Sequence, residues 1–334
     1  NVLISAEDGR IKLSATDLET SITTYVGGSV EEPGAVTIPA RLLREFISNL
    51  PPSTIEATLK NNILSMTSDR TKVKFNGIDA TDFPDISEFP KKVPYLALDP
   101  SVFGDIISSV VFAAATDAAR PIFSGVLVNY SNETLTLVAT DGFRLSERVI
   151  SLVGEVAEFS AVISARTIFD VAKIFGGSNE PLKFALMPDI NKVIFQSEDT
   201  TVSTGILNDP YPDYKRIIPS EFILSAEVSA SELLEAVKLA SVFAQDNIQI
   251  SFDPKGTISI SSSEKESGEN SSKFDAIVEG EKLEVNFNAR YLLDFLNNVK
   301  AERIIIKTQG STSPCLIIPI ESTGFLHLMM PIRV

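Results

Sequence analysis

Residue types that could carry out chemistry are scarce in this chain of 334 residues, which contains one histidine, His327, and one cysteine, Cys315. A Ser-His-Asp triad, a Cys-His pair or a multi-histidine metal site would each need that single imidazole. One cysteine can form no internal disulfide and indicates a reducing compartment, so we expect a cytoplasmic protein. We expect no metal, no cofactor, and a structural or surface role for His327.

The other candidates for chemistry are carboxylates. Asp17 and Asp141 each end an Ala-Thr-Asp motif, and the two motifs occupy the same place in two similar segments. A catalytic pair would more naturally occur once, whereas hairpin turns explain a repeated aspartate. No glycine-rich segment precedes a helix as a phosphate-binding loop requires. The sequence therefore predicts no catalytic residue and no enzymatic activity.

Composition limits the protein class further. Hydrophobic residues make up 44% of the chain, and 29 Lys and Arg against 44 Asp and Glu give a formal net charge of −15. This excludes a disordered chain, and no apolar run approaches the roughly 18–20 residues of a membrane span, so we expect no membrane partner. An acidic chain is a poor nucleic-acid binder only if its charge is evenly spread.

An internal repeat organises the chain. Residues 36–50, 161–175 and 285–299 align without gaps, and each contains Ala-Arg followed four residues later by an acid. The three pairs are Arg41 with Glu45, Arg166 with Asp170, and Arg290 with Asp294. Successive arginines are separated by a domain-sized interval, which predicts three copies of one fold.

A second shared element supports the register. Residues 3–17 and 127–141 both alternate apolar and polar residues around a polar turn, and residues 256–261 hold a degenerate third copy. This alternation predicts a β-hairpin in each copy. Strand-like runs follow at 54–59, 72–75, 193–196, 201–206, 303–307 and 316–320.

The Ala-Arg segments read as amphipathic helices. Ser164 and Asn288 are suitable N-caps, and Pro39 suits a first turn. The predicted buried faces comprise Leu43, Phe46, Ile47 and Leu50; Ile168, Val171, Ala172 and Phe175; and Leu292, Phe295, Leu296 and Val299. Residues 99–112 and 229–243 predict two further helices, the first with Pro100 near its start and the second with a Ser-x-x-Glu capping box.

One repeat is therefore a strand, a helix, a hairpin, a helix and several strands. The fold class is α+β, with helices on one face of antiparallel sheets, and domains at 1–92, 93–219 and 220–334. Three full copies would need roughly 38 residues more than the chain has. We accordingly expect the first domain to lack its N-terminal strand and helix.

These segments resemble one protein family, the bacterial sliding clamps that form the β subunit of DNA polymerase III. The resemblance runs along the whole chain and rests on residues 15–19, 82–84, 120–127, 138–146, 209–219, 288–294 and 330–334. It implies three DNA-clamp domains in a ring-forming, head-to-tail homodimer, with helices lining the hole. It also implies a processivity factor that encircles duplex DNA without reading its sequence and catalyses no reaction.

The resemblance further implies a peptide cleft between the second and third domains. Its partners would be the DNA polymerase III catalytic subunit, clamp-loader subunits and other polymerases, bound through short linear motifs. The matching positions are Phe123, Thr140, Gly142, Phe143, Arg144, Leu145, Pro212, Arg216, Ile217, Asn288, Tyr291, Leu328, Met330, Pro331, Ile332 and Arg333. Phe143 stands where family members often carry histidine, which keeps an apolar wall but could alter motif preference. A packed C-terminal strand is the alternative.

The five predicted helical segments carry seven basic and six acidic residues, which leaves the rest of the chain with a charge of −16. Such a layer would tolerate phosphate, while the exterior would repel it. The residues predicted to face DNA are Arg41, Arg44, Arg166, Lys173, Arg290 and Lys300. The alternative is ordinary solvated helix faces with i,i+4 ion pairs.

Two assignments stay open. Alignment with the family suggests Leu96 and Leu98 on one side of the subunit interface, and Val242 and Phe243 on the other. All four could equally be core residues. The alternative function is a repeat scaffold that binds proteins and no DNA.

Overall fold

The computed structural model describes residues 1–7, 9–90, 92–117, 120–244, 246–264 and 268–333. Within these ranges the α+β prediction is confirmed, with five α-helices and twenty-five strands. The helices are α1 Ala40–Asn49, α2 Pro100–Val111, α3 Ala165–Phe175, α4 Ala230–Phe243 and α5 Ala289–Asn298.

The strands follow the alternation of the sequence. The first sixteen are β1 Val2–Glu7, β2 Arg10–Thr16, β3 Thr20–Gly27, β4 Gly34–Ile38, β5 Glu56–Lys60, β6 Ile63–Thr67, β7 Lys72–Asn76, β8 Ile78–Asp79, β9 Leu96–Leu98, β10 Gly125–Ser131, β11 Thr134–Thr140, β12 Arg144–Ser151, β13 Phe159–Ser164, β14 Leu182–Met187, β15 Lys192–Ser197 and β16 Thr200–Gly205. The others are β17 Leu224–Ser229, β18 Asn247–Asp253, β19 Thr257–Glu264, β20 Gly268–Asp275, β21 Ile277–Gly280, β22 Leu283–Asn288, β23 Arg303–Thr308, β24 Cys315–Pro319 and β25 Phe325–Met329.

The repeat is visible in the strand order. Three four-stranded antiparallel groups have the same arrangement: β4-β1-β2-β3, β13-β10-β11-β12 and β22-β18-β19-β20. In each group the strand that pairs with the first hairpin strand leads directly into an Ala-Arg helix, α1, α3 or α5. The strand and helix predicted to open the second and third copies are β9 with α2 and β17 with α4. The three copies inferred from the sequence therefore share one strand order, followed in each case by a helix.

The chain divides into two compact units. The first comprises Asn1–Pro100 and Phe175–Gly205. It contains a nine-stranded sheet, β8-β4-β1-β2-β3-β16-β15-β14-β9, and a three-stranded sheet, β5-β6-β7. Val36, Ile38, Leu64 and Phe75 form a buried cluster in this unit.

Helix α1 covers that cluster only partly. Leu43 and Phe46 pack against it, but none of the residues of α1 is buried. The prediction that Ile47 faces the core is wrong, because its side chain is 40% exposed. Pro39 is the residue before the helix rather than a first-turn residue.

The second unit comprises Ser101–Ile174 and Ile206–Val334. Its nine-stranded sheet runs β13-β10-β11-β12-β25-β24-β23-β17-β21, and its four-stranded sheet runs β20-β19-β18-β22. Leu233 and Val237 of α4 and Leu292 and Phe295 of α5 pack against apolar residues of both sheets. At about 1.5–3 kcal/mol for each fully buried large aliphatic or aromatic side chain, this core is a main source of the unit's stability.

A smaller apolar cluster of the second unit involves Leu145 of β12 and Leu328 of β25. Tyr214, in the short helical turn Tyr214–Ile217, is buried in the same cluster. Its hydroxyl donates to the carboxylate of Glu147. Burial and this carboxylate raise the pKa of Tyr214, so the phenol stays protonated and anchors the turn to the sheet.

The predicted caps explain where several helices begin. Asn288 accepts a hydrogen bond from the backbone N–H of Arg290 at 2.9 Å, and Ser229 accepts one from Glu232 at 3.4 Å. Ser164 accepts a longer one from Thr167, at 3.5 Å. These side chains satisfy backbone donors that lack a partner in a helix's first turn.

Candidate functional site

The turn between β11 and β12 holds the first part of the predicted cleft. The Asp141 carboxylate accepts hydrogen bonds from the backbone N–H groups of Phe143, at 2.8 Å, and Arg144, at 2.9 Å. The Thr140 hydroxyl donates to the Arg144 carbonyl at 2.6 Å. Gly142 has φ of 91°, a conformation that side chains other than glycine rarely adopt. The repeated aspartate is therefore a turn residue, as predicted.

The equivalent turn of the first repeat is built in the same way. The Asp17 carboxylate accepts hydrogen bonds from the backbone N–H groups of Glu19 and Thr20, at 3.1 and 2.7 Å. Leu18 takes the place of Gly142, with φ of 79° and 78% of its surface exposed. A left-handed backbone conformation strains a leucine, which glycine in the second turn avoids. The two turns nevertheless share one hydrogen-bond pattern.

Arg144 leaves this turn and points toward α5. Its side chain is 7% exposed, with one guanidinium nitrogen 3.0 Å from Asp141 and another 2.7 Å from Asp294. The guanidinium carbon also lies 4.4 Å from the centre of the Tyr291 ring. Two carboxylates and an aromatic ring thus surround this cation. The geometry favours a role for Arg144 in positioning the residues around it in the predicted cleft.

Three apolar members of the predicted cleft are exposed. Phe143, Ile217 and Met330 expose 61%, 49% and 37% of their surface. The backbone N–H of Met330 donates to the carbonyl of Phe143 at 2.8 Å, which places the end of β25 beside the turn. Large exposed apolar side chains that share a surface are typical of sites for protein partners.

Phe123 borders the same turn. A Cβ atom at position 142 would lie 3.7 Å from the Phe123 ring, an ordinary van der Waals distance, so Phe123 lies close to the turn. Phe123 makes an edge-to-face contact with Tyr211, at 6.4 Å between ring centres. The Tyr211 hydroxyl donates to the carbonyl of Val138 at 3.3 Å. These contacts connect Phe123 and the loop that carries Tyr211 to β11.

The other predicted cleft residues divide by exposure. Thr140, Leu145 and Leu328 are buried and can shape the surface only from beneath. Pro212, Arg216 and Arg333 are exposed, and Asn288, Tyr291, Pro331 and Ile332 are partly buried. Arg216 pairs with Asp213 at 2.6 Å.

Sequence reasoning missed Tyr211, Tyr214 and Asp294 as parts of this region. Tyr211 and Tyr214 lie in the motif Asp-Pro-Tyr-Pro-Asp-Tyr, residues 209–214, which served only as a family marker. Two tyrosines that flank a proline in a polar loop are the signal that could have identified them. Asp294 was assigned instead to an ion pair with Arg290, four residues earlier in the sequence.

His327 is completely buried in β25. Its Nδ1 is 2.8 Å from the Ser146 hydroxyl, and its ring stacks on Phe295 at 4.9 Å between centres. Burial, with a contribution from Arg144, lowers the pKa of His327 to about 3. The imidazole is therefore neutral at physiological pH and has the structural role that the sequence predicted.

The six residues predicted to face DNA are all exposed. Of the three predicted i,i+4 pairs, Arg41 with Glu45 at 2.9 Å is the one formed among the described residues. Asp294 binds Arg144 instead of Arg290. Lys300 lies two residues beyond the end of α5. Without it, the five helices of the described chain carry six basic residues, one fewer than predicted, and six acidic residues.

The predicted interface residues fall into two groups. Leu96 and Leu98 are 0% and 4% exposed, so the structure supports the core alternative for both side chains. They lie on β9, which pairs with β14 at one edge of a nine-stranded sheet. Val242 is 74% exposed, and Phe243 is partly buried.

Side chains that could ligate a metal are dispersed. Within the described ranges, no three His, Cys, Asp or Glu side chains are grouped as a metal site requires. No helix in that part of the chain is long and apolar enough to cross a membrane.

Comparison with known proteins identifies the family. Models of the N-terminal, central and C-terminal domains of the DNA polymerase III beta subunit match residues 1–87, 97–213 and 215–333. The beta sliding clamp of Synechococcus elongatus is 31% identical over 349 aligned residues, which cover 100% of this chain and 91% of that protein. The beta sliding clamp of Bacillus subtilis is 26% identical, with 99% and 91% covered.

Comparison of structures gives the same result. The crystal structure of the DNA polymerase sliding clamp from Bacillus subtilis superposes with a TM-score of 0.94 at 25% identity, over 100% of this chain and 91% of that one. The three domain models occur in the order of the three internal repeats. The chain belongs to the family of DNA polymerase III beta subunits, the bacterial sliding clamps.

Proposed function

We propose that this protein is a DNA sliding clamp, a processivity factor that encircles duplex DNA as a head-to-tail homodimer and tethers polymerases. One observation carries this proposal: matches to all three beta-subunit domains extend along the chain in order. The likeness to a solved sliding clamp over the full chain supports it. The proposed domains are 1–92, 93–219 and 220–334.

Charge distribution is compatible with enclosure of DNA. The five helices carry no net charge, so the formal −15 of the chain resides in the remaining residues. A neutral helix layer repels phosphate far less than the acidic remainder does. Within these helices, Arg41, Arg44, Arg166 and Arg290 are exposed cations that can make weak, salt-sensitive phosphate contacts. Such contacts let a ring slide while its closed shape prevents release.

The strand pairs within the chain suggest how two subunits close a ring. β3 pairs with β16, and at the equivalent place β12 pairs with β25, both antiparallel. By the repeat, the third such pair would join β20 of one subunit to β7 of another. Both strands lie at sheet edges in the described chain, with backbone groups available for pairing. This assignment replaces Leu96 and Leu98, which lie in the proposed second domain, as the contacts on that side of the subunit interface.

The exposed surface around Phe143, Ile217 and Met330 is the proposed peptide cleft. Apolar side chains of a short linear motif would pack on these residues, and Arg216 and Asn288 would orient the motif's polar groups. The proposed partners are the DNA polymerase III catalytic subunit, clamp-loader subunits and other polymerases. The protein would act on DNA in the cytoplasm and catalyse no reaction.

Retention on circular DNA tests the main proposal. The protein is loaded onto nicked circular duplex DNA, and the complex is separated from free protein by gel filtration at moderate salt. We expect the protein to stay with the circle and to be released when a restriction enzyme linearises it, because a ring slides off an open end. Equal loss from circular and linear DNA would contradict enclosure.

The same experiment addresses the alternative of a protein-binding scaffold. A scaffold would bind polymerase peptides while showing no DNA retention that depends on topology. A matched sample with circular DNA that is never linearised controls for slow spontaneous ring opening.

A further inference from the structure

A cleft of about 400 Å³ opens between α2 and the end of α5 in the second unit. Its walls include Ser108 and Ser109 of α2, Arg148 of β12, Asn297 of α5, Lys300 and Ser322. It lies apart from the exposed peptide surface, and no residue of the proposed peptide cleft lines it. Side chains with hydrogen-bond donors predominate in these walls.

Arg148 is the central cation of the cleft. Its side chain is partly buried, and its guanidinium donates to the hydroxyl of Ser322. Burial lowers the pKa of Arg148, and the nearby Asp105 opposes this shift, so the guanidinium remains charged at neutral pH. Within the described chain no carboxylate lies within ion-pair distance of it, whereas Arg303 has one. A partly buried cation without a directly paired anion favours binding of an anion from outside.

The neighbouring groups strengthen this preference. Ser108 and Asn297 contribute a hydroxyl and an amide, and neither side chain has a hydrogen-bond partner in the described part of the protein. Lys300 contributes a second cation, 3.4 Å from Asp105. Both members of that pair are highly exposed, so the pair is weak and Lys300 can turn toward a ligand. Two cations against one carboxylate leave the cleft with a net positive charge.

We propose that this cleft binds a phosphate group of the DNA backbone, with Arg148 as its principal contact. The planar guanidinium can donate two parallel hydrogen bonds to a phosphate, and the remaining donors of the cleft can reach the other oxygens. Phosphate contacts fix position without reading sequence, as a sliding protein requires. The inference rests on the proposed clamp function and adds a specific contact that the helix faces alone did not indicate.

Salt-dependent DNA binding tests this site with the full chain. Fluorescence anisotropy with a labelled duplex of about 30 base pairs gives the slope of log affinity against log salt, and each phosphate that the protein neutralises steepens this slope by about 0.9. We expect Arg148→Gln to make the slope shallower by about this amount and to reduce the affinity by several-fold. Arg148→Lys should restore the slope while recovering only part of the affinity, since lysine cannot form the paired hydrogen bonds.

One variant controls for structure. Arg303→Gln removes an arginine that pairs with Glu227 outside the cleft, and it should leave the slope unchanged. Thermal unfolding of each variant identifies any loss of fold.

The outcomes separate the two proposals. An unchanged slope in a folded Arg148→Gln variant, with wild-type protein that is retained on circular DNA, would overturn the phosphate site alone. Failure of the wild-type protein to be retained would overturn the clamp function and this inference with it. Titration with inorganic phosphate at fixed ionic strength distinguishes the source: binding of free phosphate that Arg148→Gln abolishes without any change in DNA affinity would reject the DNA backbone as the ligand.

Discussion

One guanidinium nitrogen of Arg144 lies 2.7 Å from a carboxylate oxygen of Asp294, and another lies 3.0 Å from Asp141. The first contact joins β12 of the second repeat to α5 of the third, 150 residues apart in sequence. Because Phe143 precedes this arginine and Tyr291 packs on it, the ion pair fixes two parts of the proposed peptide cleft.

The first prediction concerns this ion pair. Asp294→Asn should lower the free energy of unfolding by about 1–2 kcal/mol, because Arg144 is buried while Asp294 is partly solvated and Asp141 remains as a partner. Peptide affinity should fall by a few-fold. Urea unfolding and a peptide titration measure the two effects. Asp213→Asn, which breaks the exposed pair with Arg216, is the control and should cost less than about 0.5 kcal/mol.

The second prediction concerns the hydroxyl of Tyr214. Tyr214→Phe keeps the ring in its cluster but leaves the Glu147 carboxylate without this donor, which should cost about 1–2 kcal/mol. The turn that carries Arg216 and Ile217 should loosen, and amide hydrogen exchange there should accelerate. Tyr95→Phe, at a position 43% exposed, provides the matched control. Equal stability of the two variants would show that the Tyr214 hydroxyl contributes nothing.

The third prediction is a pH dependence caused by His327. Its pKa is lowered to about 3 by burial, while an unfolded histidine titrates near 6.5. Between these values the unfolded state binds a proton that the folded state does not. The free energy of unfolding therefore rises with pH in this window, by up to about 1.4 kcal/mol per pH unit. Acidification through the same window lowers it by the same amount.

A variant isolates this contribution from the many carboxylates. His327→Gln can still hydrogen-bond to Ser146 but cannot titrate. Between pH 7.5 and pH 5, wild-type protein should lose about 2 kcal/mol more stability than the variant does. Urea unfolding at both pH values measures the difference. Parallel losses in the two proteins would mean that the histidine is protonated in the folded state.

The fourth prediction tests the peptide cleft. Met330→Ala combined with Tyr291→Ala should weaken binding of a peptide from the C-terminal end of the DNA polymerase III catalytic subunit by at least about tenfold, as expected for loss of two anchoring side chains. Isothermal titration measures the affinity, and light scattering should show an intact dimer. The control is Val153→Ala with Tyr95→Ala, two exposed positions away from the cleft. Unchanged affinity would reject the assignment.

The fifth prediction tests ring closure. If β7 pairs with β20 of a second subunit, Lys74 lies near the acidic side chain of Glu269 on the partner strand. Lys74→Glu should then weaken the dimer by about tenfold through like-charge repulsion across the strands. Sedimentation equilibrium provides the dissociation constant. As the control, Lys282→Glu makes the same charge change on an exposed residue outside β7 and β20. Equal weakening of the dimer by both variants would contradict pairing of β7 with β20.

The sequence alone determined the repeat, the fold class and the family. Helices α3 and α5 bury the predicted residues Ile168, Val171, Leu292 and Phe295, because a period of 3.6 residues dictates which side chains share a face. The hairpins follow from alternation in the same local way. Such patterns act over a few residues, so they can be read without knowing what lies next to them in space.

The tertiary structure decided which side chains pair and which are covered. The sequence placed Asp294 with Arg290, four residues away, whereas the fold brings it to Arg144, and that choice depends on a contact between repeats. Leu96 and Leu98 are covered by neighbouring elements, and Ile47 is not, although all three are equally apolar. The cleft around Arg148 likewise exists only because segments distant in sequence converge. Burial and charge neutralisation depend on neighbours in space, and local spacing in the sequence does not reveal those neighbours.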